Sequence, residues 1–102
     1  MISETFIRTC AKHGRLVLSK HALHKMSKEG ITYEQVREAL VSGTVMETQS
    51  FGKDIKVLFQ QCNRETPEFY VVVAACDPPD IVTVCRVWED VWDSSGQTLK
   101  RR

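Results

Sequence analysis

Residues 69–88 read Phe69-Tyr70-Val71-Val72-Val73-Ala74-Ala75-Cys76-Asp77-Pro78-Pro79-Asp80-Ile81-Val82-Thr83-Val84-Cys85-Arg86-Val87-Trp88. Two runs rich in β-branched and aromatic residues flank a turn, Asp77 to Asp80, too short to hold a crossover helix. They are expected as antiparallel neighbours over 69–76 and 81–88. The first run is apolar on both faces through Ala75, which suits a central strand covered on one side by helices. Toward the N-terminus the same signature recurs near 45–50 and 55–61, joined by a second short turn, Phe51-Gly52-Lys53-Asp54. A four-stranded antiparallel meander is the economical arrangement.

Before Gly43 the apolar residues recur at helical spacing. Ser3 can cap a helix through about Lys12, with Phe6, Ile7, Cys10 and Ala11 on one side and Gly14 as its end. A short extended piece, Arg15 to Leu18, follows. Ser19 can cap a second helix whose apolar side is Ala22, Leu23 and Met26 and whose stop is Gly30. Thr32 with Gln35 has the form of a capping box, and Val36, Ala39 and Leu40 give a third helix a buried stripe before Gly43. The expected fold class is therefore α+β, with N-terminal helices packed on a four-stranded antiparallel sheet. The domain is expected to span residues 1–92, leaving 93–102 as a flexible basic tail that ends Lys100-Arg101-Arg102.

The length of 102 residues and 42% hydrophobic content suit one domain with one core. No apolar run reaches the roughly 18 residues of a membrane span, and Met1 to Arg15 lacks the apolar centre of a signal peptide. A cytosolic chain with no membrane partner is expected. Cys10, Cys62, Cys76 and Cys85 form no C-x-x-C pair, which speaks against a zinc knuckle or a dithiol redox site. Free thiols are expected, a Cys76–Cys85 cross-strand disulfide being the alternative.

The formal net charge of +1 hides an asymmetry. Up to Gly30 there are six Lys/Arg against Glu4 and Glu29, together with all three histidines; after it there are eight basic residues against eleven acidic ones. The basic part can recruit a polyanion such as RNA, or it can be an ordinary solvated helical face. Positions 21, 24, 25 and 28 share one face of the second helix, which gathers His21, His24, Lys25 and Lys28. Histidine exchanges protons near neutral pH, and lysine stabilises a phosphate that gains charge as bonds rearrange. An exposed amphipathic helix with a basic side fits the same residues. His21 and His24 lack a third ligand at a recognisable spacing, so no metal is expected, and no cofactor either. The glycines are dispersed, without a phosphate-binding loop, and no G-x-S-x-G element occurs.

The run Leu18-Ser19-Lys20-His21-Ala22-Leu23-His24-Lys25-Met26, then Glu29-Gly30-Ile31-Thr32, Val36, Ala39-Leu40, Gly43, Val45-Met46-Glu47 and Ile81-Val82-Thr83-Val84, forms a linear pattern. It resembles a bacterial family of small domains placed in the barnase, EndoU, colicin and RelE ribonuclease-toxin superfamily, over about residues 16 to 87. The resemblance implies a RelE/barnase-like fold with RNA lying across the exposed sheet face. It also implies an endoribonuclease, commonly paired with an antitoxin protein. His21 matches the family histidine and Thr83 the threonine of the last strand. Three positions depart from the pattern: Lys25 stands where arginine is usual, Glu29 replaces an arginine before Gly-Ile, and Cys85 replaces a tyrosine.

RNA carries its own nucleophile in the 2′-hydroxyl, so a metal-independent endoribonuclease of the toxin type needs a base, an acid and charge stabilisation. The expected catalytic residues are His21 and Glu47 in the acid and base roles, with Lys25 and Thr83 at the scissile phosphate. Lys28, Lys56, Arg86 and Trp88 are expected to bind RNA, Trp88 by stacking on bases or docking an antitoxin. The rival expectation is a non-catalytic module of the same fold that binds RNA or a protein.

Overall fold

A computed structural model describes residues 4–52, 54–61, 68–86, 92–93 and 100–101. Three helices come first: α1 (Glu4–Lys12), α2 (Lys20–Glu29) and α3 (Tyr33–Ser42), with a short strand β1 (Val17–Leu18) between α1 and α2. Four longer strands follow: β2 (Thr44–Phe51), β3 (Asp54–Gln60), β4 (Phe69–Ala74) and β5 (Asp80–Arg86). The order across the sheet is β1-β5-β4-β3-β2.

The expected meander of four antiparallel strands is thus extended to five. β1 adds to the outer side of β5 in parallel, Val17 opposite Asp80 and Leu18 opposite Ile81. Two residues are too few to show an alternating pattern, and the pairing rests on backbone bonds from Val17 N to the Pro79 carbonyl and from Ser19 N to the Ile81 carbonyl, at 2.9 and 3.2 Å. Part of the expected 93–102 tail is also paired: Trp92–Asp93 (β6) lies antiparallel to Lys100–Arg101 (β7). The cap expected at Ser3 lies outside the described residues, as do Cys62 and Trp88.

Helix ends follow their sequence signals. The Ser19 hydroxyl accepts from Ala22 N, and Thr32 and Gln35 form the full capping box. Gly30 closes α2 at φ 68°, left-handed backbone that costs glycine little; Ile31 N then donates to the Met26 carbonyl at 2.9 Å. α1 and α3 lie side by side and each terminates the other. Arg8 of α1 donates to the carbonyls of Leu40, Val41 and Gly43 at the end of α3, with its guanidinium 5.1 Å from the Phe59 ring centre. Arg37 of α3 donates to the carbonyls of Ala11 and Lys12 at the end of α1, both at 2.9 Å. These are carbonyls that a helix C-terminus otherwise leaves without partners.

The helices bury one face of the sheet. Ile7, Ala11, Ala22, Met26, Ile31, Val36, Ala39 and Leu40 pack with Val57, Phe59, Phe69, Val71, Val73, Ile81 and Val84 in one core. Leu23, expected on the apolar side of α2, is 50% exposed, because Ala22 and Met26, one turn apart, already define the buried stripe. On the far face Leu58 is buried among the half-exposed Met46, Tyr70 and Val72. Cys10, Cys76 and Cys85 are free thiols. Cys85 lies opposite Tyr70 in the sheet, so the pairing a Cys76–Cys85 bridge would need is not made.

Candidate functional site

Strand register sorts the far-face residues into rows. Glu47, Leu58, Val72 and Thr83 lie opposite one another in succession across β2, β3, β4 and β5. A second row is Gln49, Lys56, Ala74 and Asp80, and a third is Thr44, Gln60, Tyr70 and Cys85. The sheet therefore places Glu47, Lys56 and Thr83 on a common face, half-buried, with Leu58 and Val72 as an apolar floor between them. Gln49 Nε2 donates to Glu47 Oε2 at 2.8 Å. The Thr83 hydroxyl lies 4.0 Å from the Cys85 thiol.

α2 is placed by β5. The register shift between Val72 and Val73 leaves Val82 without a partner on β4, and the Val82 carbonyl accepts from the Ser19 hydroxyl at 2.9 Å. One side chain thus caps α2 and fastens its first turn, which carries His21, beside the strand that carries Thr83. His21, His24 and Lys28 are exposed and make no ion pair among the described residues. The first turn of α2 holds no acidic residue. Its outer side is accordingly a basic surface with little local counter-charge.

The far end of α2 is different. Lys25 Nζ lies 3.9 Å from Glu29 Oε1, and Arg86 Nε lies 3.3 Å from Glu29 Oε2. An Arg86 terminal nitrogen also donates to the Glu29 backbone carbonyl, and its other one is 3.9 Å from Glu68 Oε2. Arg86 pairs across the sheet with the buried Phe69, on the side the helices cover.

These positions divide the expected site residues. His21, Lys25 and Lys28 share α2, and Thr83 is the far-face residue of the row nearest to it. Glu47 ends the same row three strands away, about 14 Å at the usual strand spacing of roughly 4.8 Å. A general acid and a general base must both reach atoms bonded to one phosphorus. The expected pairing of His21 with Glu47 is therefore not met. Arg86 does not join Lys56 and Thr83 either, since alternation along β5 turns it to the opposite face, where Glu29 and Glu68 hold it. Sequence reading missed both carboxylates as partners of Arg86, Glu29 lying 57 positions away with no local signal linking the two.

Among the described residues no cluster of three or more His, Cys, Asp or Glu is placed to hold a metal ion. Nor is any described helix long and apolar enough to cross a membrane. No curated protein and no solved structure gives a significant match to the chain. Residues 18–86, from the strand before α2 to the end of β5, match the family described as Domain of unknown function (DUF4258), and the chain belongs to that family.

Proposed function

We propose that this domain is a metal-independent endoribonuclease of the toxin type, with its site along α2 and the adjoining strand β5. The observation that carries the reading is the basic outer side of α2, which presents His21, His24 and Lys28 without ion-pair partners among the described residues beside the Thr83 strand. A phosphate backbone is the polyanion such a surface suits. The 2′-oxygen of the substrate attacks the adjacent phosphorus, the bond from phosphorus to the 5′-oxygen breaks, and the products end in a 2′,3′-cyclic phosphate and a 5′-hydroxyl. His21 takes the 2′-hydroxyl proton, and water supplies the proton to the leaving 5′-oxygen, the role for which Glu47 is too far away. Lys25 stabilises the phosphate as it gains charge and Lys28 binds a neighbouring one, while Thr83 and Lys56, on the far face of the sheet, contact phosphates further along the strand. A toxin of this kind has a protein antitoxin as its second partner, and an RelE/barnase-like fold is part of the same proposal.

A second reading is a non-catalytic RNA-binding module. The separation of His21 from Glu47 favours it, because the surface that grips RNA does not depend on an acid and base meeting.

RNA cleavage on a denaturing gel with EDTA present separates the two, comparing the wild type with His21→Ala, whose exposed side chain is not part of the core. Cleavage by the wild type alone, with 2′,3′-cyclic ends, is the expected result. Binding without cleavage, with ribosomes also tested, selects the second reading; neither binding nor cleavage refutes both. Lys25→Ala is expected to weaken action on all sequences alike, and a changed sequence preference would contradict its phosphate role.

A further inference from the structure

The Glu29 carboxylate occupies the place between two cations that an anionic ligand would take. One oxygen faces Lys25 Nζ at 3.9 Å and the other faces Arg86 Nε at 3.3 Å. Lys25, Glu29 and Arg86 have 27%, 25% and 35% of their side-chain surface exposed, so solvent reaches the cluster. Arg86 is also held independently of that carboxylate, through the Glu29 backbone carbonyl and Glu68. Neutralising the Glu29 side chain, as in Glu29→Gln, therefore leaves the guanidinium tethered while replacing the competing anion with a neutral, weaker acceptor at its Nε–H. Lys25 is one turn from both His21 and Lys28 on α2, which makes the cluster continuous with the basic surface.

From this geometry we propose that Lys25 and Arg86 form a binding site for an RNA phosphodiester, and that Glu29 is its resident competitor. The proposal rests on the RNA-directed reading above. A phosphodiester carries one negative charge and two unbridged oxygens, as a carboxylate does, and can bridge the same ammonium and guanidinium groups. RNA then enters by exchange: its phosphate displaces the carboxylate, which turns to solvent. The internal ion pair lowers affinity, because the site must be vacated before it can be filled.

The test measures binding of a short single-stranded 2′-O-methyl RNA, which lacks the attacking hydroxyl, by fluorescence anisotropy over a range of salt concentrations. Wild type, Glu29→Gln, Arg86→Ala and the double variant are compared. Glu29→Gln is expected to tighten binding on the order of tenfold, the scale of one added charge-assisted bond. It is also expected to steepen the salt dependence by about 0.7 in log–log slope, the release expected for one more phosphate contact on a single strand. In the Arg86→Ala background the gain should vanish. If Arg86→Ala fails to fold, Lys25→Ala on the surface of α2 takes its place, and the gain from Glu29→Gln should fall by more than half.

Wild-type binding that Glu29→Gln leaves unchanged overturns the competitor role and leaves the RNA-directed reading standing. A gain that persists in full after either cation is removed also overturns it, since the effect is then general charge removal. Absence of RNA binding by every variant overturns both the inference and the reading beneath it.

Discussion

Removing the Ser19 hydroxyl would take away two bonds at once, the cap on Ala22 N at 3.0 Å and the tie to the Val82 carbonyl at 2.9 Å. Loss of a cap costs about 1 kcal/mol, and a carbonyl left without its partner adds to that. Ser19→Ala is therefore expected to lower the unfolding free energy by roughly 1 to 2 kcal/mol, read as a shift in urea midpoint at unchanged slope. A midpoint shift too small to measure would show that water replaces both bonds. The cap was legible in the sequence, because serine just before an apolar helical stripe has one common use. The tie to Val82 was not, since it depends on a bulge 63 residues away. His21 shows the same division. Its residue type and place on α2 could be read, but its distance from Glu47 depends on strand order.

Among the elements, α2 and α3 both stop at glycine for different reasons. Gly30 is left-handed with open space around it. Gly43 has φ −76°, which any residue adopts, but a Cβ there would lie 2.1 Å from the Gln60 carbonyl oxygen and 2.3 Å from that of Ala39. Backbone on both sides cannot yield without moving β3 or the last turn of α3. Gly30→Ala is expected to cost about 1 to 2 kcal/mol, the penalty of a left-handed residue with a side chain. Gly43→Ala is expected to cost about 3 kcal/mol or more, at the upper end of overpacking. Equilibrium denaturation of the two variants checks the order, and a Gly43→Ala protein as stable as Gly30→Ala would contradict the close approach. Both helix stops were legible as glycines, whereas the second reason was hidden because it comes from a neighbouring strand. The extended piece from Arg15 to Leu18 was likewise visible, but not that two of its residues would join the sheet beside β5.

For the whole molecule, the order of helices then strands and the shared core were legible from periodicity. The choice of face was harder. β4 is apolar on both sides, so its sequence alone does not say which side the helices cover; the contrast of Val57 and Phe59 with Lys56 and Gln60 on β3 supplies that information. The family match begins at residue 18 and so omits α1. Yet Ile7 and Ala11 of α1 are fully buried in the core, and Arg8 supplies the bonds that end α3 while Arg37 ends α1. A fragment of residues 18–86 would lose that apolar area and expose the Leu40, Val41 and Gly43 carbonyls together. Circular dichroism and amide exchange of this fragment are expected to show no cooperative unfolding transition, and a sharp one would mean that α1 is dispensable. The stretch by which kinship is recognised thus stops short of the core it shares with α1, so a graft of this domain into another protein is best cut to carry its first helix as part of the cargo.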